Sequence, residues 1–419
     1  MTRRWTASTL VLTATAAVGL LAPTAAGAQE PDPNVPVQDR PRPELDPLGI
    51  RAGGFLIFPE VTVAGSYNDN IFATPDDEID DLITLVSPEI SVQSQFSRHA
   101  INLNTGADLG FYLDENDENF QDYFVGVNGR LDVLREAAFT GGARYSHEHE
   151  DRGDPDDVGG AEPTEFDRFG ADLGYQQTFN RLNFRVLGTA ERLDFDDVPA
   201  AGGVTIDNDD RDRNEYNALL RVGYAVSPRL RFFTEGRYSI VDYSEDLPGV
   251  DFNRDSDGYE VRAGADIDLT AVLFGEVFAG YRWVDYDADV FDDSDGFSLG
   301  AGLTWNVTQL TTIELAARRD VEETTEAGAS GRFTTAAEVE VHHELLRNLL
   351  LNGLVGYRND DYEGIDRTDD TFTFGVGATY LMNRYLNLEL AYRFDDRSSD
   401  FGPDEFTRNV ITLGVTGRL

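Results

Sequence analysis

The sequence predicts an all-β chain, a transmembrane antiparallel up-and-down β-barrel of about 18 strands, and three observations carry that prediction. The first is a strict period of two, clearest in TFTFGVGATYLMNRYLNLELAYRF, residues 371–394. In its first arm Phe372, Phe374, Val376, Ala378 and Tyr380 share a face against Thr371, Thr373, Gly375, Gly377 and Thr379. In its second, Leu386, Leu388, Leu390, Tyr392 and Phe394 oppose Asn387, Glu389, Ala391, Arg393 and Asp395. The second observation is that the connections fall into two classes that alternate with strand parity. Short turns, often basic, are Ser97-Arg98-His99, Leu134-Arg135-Glu136, Asn180-Arg181, Ser227-Pro228-Arg229, Arg347-Asn348 and Asn383-Arg384; longer acidic loops follow Leu113, His149, Phe195, Tyr243 and Tyr286. A soluble sandwich has no reason to sort its loops this way. The third is that hydrophobic content is 41%, yet past residue 28 no apolar run is long enough to cross a bilayer as a helix.

Taken in order, residues 1–28 read as a cleaved signal peptide: Arg3 and Arg4 begin it, an apolar stretch follows to Leu21, and Ala26-Gly27-Ala28 fits the cleavage pattern. Residues 29–53 form a Pro-rich periplasmic leader expected to have no packed structure. Residues 54–419 are the barrel. Outgoing strands are expected to begin near Phe55, Ala100, Ala137, Leu182, Leu230, Val272, Leu310, Leu349 and Tyr385. Returning strands begin near Leu82, Phe120, Phe166, Glu215, Tyr259, Phe297, Phe333, Thr371 and Phe406. The segment DDRSSDFGPDE, residues 395–405, reads as a flexible acidic loop. An even count returns both termini to the periplasmic side. Tyr145, Tyr175, Tyr224, Tyr238, Tyr281, Trp283, Trp305, Tyr357, Tyr380 and Tyr392 lie near strand ends on the apolar face, where a bilayer would place aromatic girdles. The last strand carries Ile411, Leu413, Val415, Gly417 and Leu419 on one face, a barrel-assembly signal that ends here in Leu.

Composition narrows the function. The formal net charge is -43, and loss of Arg3 and Arg4 makes it more negative still, which argues against a nucleic-acid partner. Disorder does not suit 17 Tyr, 26 Phe and 40 Gly spread through alternating segments. With no Cys there is neither a disulfide frame nor thiolate chemistry. No catalytic or cofactor-binding set emerges. The five histidines lack a nucleophile motif, His147 and His149 lack a third metal ligand, and Asn253, Asp255, Asp257 and Gly258 imitate a calcium loop whose closing position is Gly264, not Glu.

The most specific polar feature is a run of arginines on outgoing strands: Arg144, Arg192, Arg237, Arg282, Arg318, Arg358 and Arg393. Parity turns most of them toward the lumen together with Glu235, Glu276, Glu314 and Glu389, because an Arg facing lipid at mid-membrane costs about 2 to 4 kcal/mol. The expected lumen lining is therefore Arg144, Arg237, Arg282, Arg318, Arg358, Arg393, Glu235, Glu276, Glu314 and Glu389. It serves either as a transverse field across a solute path or as cross-strand ion pairs that stiffen the wall. The long loop 196–214 is the expected constriction.

GSYNDNIF at 65–72 and GYRNDDYEGIDRTDDTFTFGVGATYLMNRYLNLELAYRFDDRSSDF at 356–401 resemble the putative beta-barrel porin type 2 family of Gram-negative outer-membrane proteins. The resemblance implies association with exopolysaccharide synthesis and export. The expected function is a porin-like channel for small solutes or exopolysaccharide, without a cofactor. The alternatives are a non-conducting structural or surface-interaction barrel and an outer-membrane enzyme. Expected partners are outer-membrane lipid, lipopolysaccharide and the barrel assembly machinery; no feature sets the oligomeric state. A plugged TonB-dependent transporter is not expected, since no plug domain is seen before the barrel.

Overall fold

A computed structural model describes residues 35–200, 203–269, 272–326 and 328–419. The proposed signal peptide and the first leader residues lie outside these. Eighteen antiparallel strands form one closed sheet. In chain order they are Phe55–Asn68, Asp81–Ser94, Ala100–Tyr112, Phe120–Leu134, Ala137–His149, Glu165–Phe179, Leu182–Phe195, Arg213–Ser227, Leu230–Tyr243, Ser256–Leu269, Leu273–Tyr286, Ser294–Thr308, Thr311–Glu322, Gly331–Leu346, Leu349–Glu363, Thr368–Leu381, Leu386–Ser399 and Phe406–Arg418. Each pairs with its sequence neighbours, and the first and last close the ring in register from Glu60↔Arg418 to Asn68↔Val410. Closure leaves no edge unpaired, the condition for a sheet to live in lipid. A short strand, Ile50–Ala52, folds back on the first through Gly53, whose φ of 61° suits a residue without Cβ.

Short turns gather at one end of the barrel and long loops at the other. The turns use residues that accept left-handed backbone or cap it locally. Asn180 has φ 55°, and Asn383 Oδ1 accepts from the Tyr385 and Leu386 amides at 2.7 and 3.1 Å.

The alternation read in residues 371–394 decides which face meets lipid. Phe372, Phe374, Val376 and Tyr380 are exposed on the outside, whereas Thr373 between them is 6% exposed. Outward aromatics form two belts. Tyr224, Trp305 and Tyr380 lie toward the turns, and Tyr67, Tyr123, Tyr238, Tyr259, Trp283 and Tyr357 toward the loops. In the loop-side belt Tyr145, Tyr238 and Tyr357 donate to Asp167, Asp257 and Asp370 at 2.9, 2.7 and 2.5 Å. Each ring stays in the apolar band while its hydroxyl reaches a carboxylate in the polar zone, marking the boundary. Val376→Arg, in mid-band, is expected to destabilise the barrel by about 2–4 kcal/mol; urea titration of the protein refolded into lipid vesicles reads this directly.

Two expectations about local order are corrected. Residues 395–399 are not loop: the strand runs to Ser399 because Asp395 and Arg397 continue the inward face, at 2% and 6% exposed. A strand of 14 residues tilted in a barrel stands about 35 Å tall against an apolar band of about 25 Å, so paired strand extends beyond the lipid. The leader is packed too. Val37 is 1% and Arg42 2% exposed, for reasons that belong to the lumen.

Candidate functional site: the barrel lumen

The inner face is an ionic wall. Glu235, fully buried, accepts from Arg221 Nε at 2.5 Å and Arg237 Nε at 2.6 Å, and Arg221 reaches on to Glu276 at 3.1 Å. Arg282 donates to Asp320 at 2.6 Å, Arg318 meets Glu322 at 2.6 Å, and Arg393 meets Asp395 at 2.8 Å. Arg358 bridges Asp360 at 2.6 Å and Glu322 at 2.9 Å. The Arg144 guanidinium stacks 4.2 Å above the Phe124 ring. Glu314 accepts from Gln38 at 2.8 Å, and Glu389 stands opposite Thr379 on the inward face.

All ten residues expected on the inner face are therefore placed there. Arg192 is not: its side chain is 58% exposed and pairs with Asp194 on the outside. Attention to outgoing strands missed Arg221, Arg262, Arg332 and Arg408, which lie on returning strands and carry as much of the wall. The signal was present for Arg221 in LLRVGY and Arg262 in EVRAGA, which have opposite parity to their apolar neighbours; Arg408, between Thr407 and Asn409, lacks it.

At the loop end, residues 150–164 cross the barrel. Four anchors in different sectors hold them. Arg211 donates to Glu150 at 3.0 Å, Arg152 to Glu118 at 2.9 Å, and Arg408 to Asp151 at 2.9 Å. Arg332 grips Asp156 with two bonds of 2.8 and 3.0 Å. The loop leaves from strand Ala137–His149, and Arg332 sits on Gly331–Leu346, halfway round the eighteen-strand ring. A contact between diametrically placed strands requires the loop to span the lumen. This corrects the expected constriction. Residues 196–214 mostly satisfy themselves: Val198–Ala200 pairs with Val204–Ile206 as a small hairpin, and Asn208 ties back to Asp196 and Asp197.

Burial pushes the Glu150 carboxyl up to about 7, with Arg211 only partly offsetting it. Burial likewise raises Asp157 to about 6 against the pull of Arg152. Asp156 goes the other way: burial opposes its ionisation, but the Arg332 guanidinium holds it below the usual carboxylate range.

At the turn end, the leader enters the mouth. The Val37 amide donates to Thr312 Oγ1 at 2.9 Å, Arg42 to Glu344 at 2.8 Å, Arg347 to Glu44 at 3.0 Å, and Arg418 to the Leu45 carbonyl at 3.0 Å. Pro and charge in this segment serve an inward-facing set of carboxylates and arginines, hence its order.

The remaining candidates do not assemble. His147 pairs with Asp167 and His149 with Asp122, each at 2.8 Å, so the two imidazoles share no ligand set. Asn253 and Asp255 cap their own loop, Asn253 accepting from the Asp255 amide and Asp255 from the Tyr243 amide.

A family model described as Putative beta-barrel porin 2 matches residues 42–419. No curated protein matches the sequence. Among solved structures, OpdL of Pseudomonas aeruginosa is 14% identical, with 88% of this chain and 99% of that one covered at a TM-score of 0.45. Acinetobacter baumannii OccAB4 is 13% identical, with 87% and 98% covered at 0.45. The siderophore receptor PiuA from Acinetobacter baumannii is 10% identical, with 88% and 82% covered at 0.49.

Proposed function

Since the chain belongs to the Putative beta-barrel porin 2 family, we propose that it is an outer-membrane channel for passive passage of small hydrophilic solutes, with its turns and both termini on the periplasmic side. The observation that carries this reading is the contrast between the two faces. The outside is apolar with aromatic belts, while the inside is a matched array of guanidinium and carboxylate groups that only a hydrated lumen favours. The crossing loop sets the size and charge of what passes. A polysaccharide chain would need the Asp156–Arg332 contact to yield, so small solutes are the better fit.

The crossing loop and the docked leader also favour a second reading, a closed barrel with a structural role. Planar-bilayer recording of the refolded protein separates the two. Stepwise conductance supports the channel, and silence from both the native chain and a chain lacking residues 152–162 would leave the structural barrel. In the channel reading, Arg282→Glu with Arg358→Glu is expected to shift the reversal potential toward cation preference. An unchanged potential would reduce these arginines to stiffening the wall.

A further inference from the structure

Near the turn end of the inner wall, a donor set lies outside the arginine ladder. Glu314 and Glu340 stand directly opposite each other on neighbouring strands, and His342 is the next inward residue beyond Glu340. His342 Nε2 lies 3.4 Å from Glu340 Oε1 and 3.9 Å from Glu314 Oε2. The ligand atoms of the three residues fall within 4.8 Å of one another.

Carboxylates paired across a ladder repel. Elsewhere the wall resolves this with arginine, as where Arg221 reaches both members of the Asp266–Glu276 pair. Among the described residues no arginine ion pair reaches Glu314 or Glu340, and the leader brings up another acid, Asp39. Two polar atoms here are buried without a well-aligned hydrogen bond: His342 Nε2 and Gln38 Oε1. The Gln38 amide nitrogen meanwhile holds Glu314 Oε1 at 2.8 Å, leaving Oε2 turned toward His342.

We propose that Glu314, Glu340 and His342 bind a divalent transition-metal ion of the zinc class beneath the docked leader. A tetrahedral ion with ligands at about 2.0–2.1 Å separates its donors by about 3.4 Å, close to the spacing already present. The set of two carboxylates and one imidazole leaves a fourth position for water or Gln38 Oε1. Calcium, which takes six or more oxygens, fits this set poorly. The ion replaces the absent arginine. By fixing Glu314 it also fixes the acceptor that Gln38 uses, so metal occupancy and leader docking are coupled. The proposal does not depend on whether the barrel conducts.

The test is calorimetric titration of the chelator-stripped, refolded barrel, leader included, with zinc chloride, beside calcium and magnesium chloride. One saturable equivalent of zinc is expected, weakened roughly tenfold or more by His342→Ala and by Glu340→Gln. Zinc should also slow hydrogen exchange at the Val37 amide, which the docked leader gives to Thr312, in the native protein but not in either variant. Glu340→Gln removes the repulsion and so folds at least as well as the native chain, which separates loss of a ligand from loss of the barrel. Absence of a saturable equivalent, or zinc binding equal in native protein and both variants, overturns the proposal.

Discussion

Arg332→Ala is expected to release the crossing loop and raise single-channel conductance. The guanidinium takes both Asp156 oxygens, at side-chain exposures of 5% and 21%. Removing one partner of a buried pair leaves the other charged and unmatched, a loss of about 3–5 kcal/mol. The Thr325 amide still reaches Asp156 at 3.3 Å, so the lower end of that range applies. About 3 kcal/mol is about a hundredfold in the docked-to-released ratio. The wall should survive, because Arg358 continues to hold Asp360 and Glu322. Asp156→Asn, which keeps the shape and one amide contact, should have a smaller effect. The exchange Asp156→Arg with Arg332→Asp should restore much of the native conductance. If Arg332→Ala conducts like the native chain, the Asp156 contact does not limit the pore.

What could be read from the sequence follows from range of interaction. Strand identity and inward or outward facing are local properties. The period of two in residues 371–394 and the parity of Arg237, Arg282 and Arg358 reach the structure intact because a one-residue slip would put charge into lipid. Strand ends were legible only as far as the apolar pattern ran. Past Phe394 the segment Asp395–Ser399 pairs in water, where alternation of hydrophobicity is lost although alternation of charge remains. The contents of the lumen were hidden for a different reason. Asp156 and Arg332 lie 176 residues apart, and Val37 and Thr312 lie 275 apart. Only closure of the ring brings them together, and no periodicity in either segment encodes the partner. Self-pairing likewise keeps the longest acidic loop, 196–214, from being the one that crosses the lumen.

Acidification is expected to favour the closed state. In the docked loop Glu150 has its pKa raised from 4.5 to about 7 and Asp157 from 3.8 to about 6, whereas a released loop in water returns both to ordinary values. Docking therefore takes up protons. Its stabilisation is complete below the ordinary carboxylate range and is lost as pH rises through about 6 and about 7. A tenfold gain in proton affinity is worth about 1.4 kcal/mol, which places Glu150 alone on the order of 3–4 kcal/mol. Asp156 works in the opposite sense, since its depressed value makes docking favour the anion, but that contribution is lost only as pH falls below about 4. The closing window thus lies between about 7 and about 4. Open probability recorded across this window should fall with pH in the native protein. It should be low and much flatter in Glu150→Gln with Asp157→Asn, which keeps both positions uncharged at every pH. A channel that opens on acidification, or a pH slope that the double substitution leaves intact, would take the sensing role away from Glu150 and Asp157, leaving Asp154, raised by burial and by Asp156, as the remaining group of that loop.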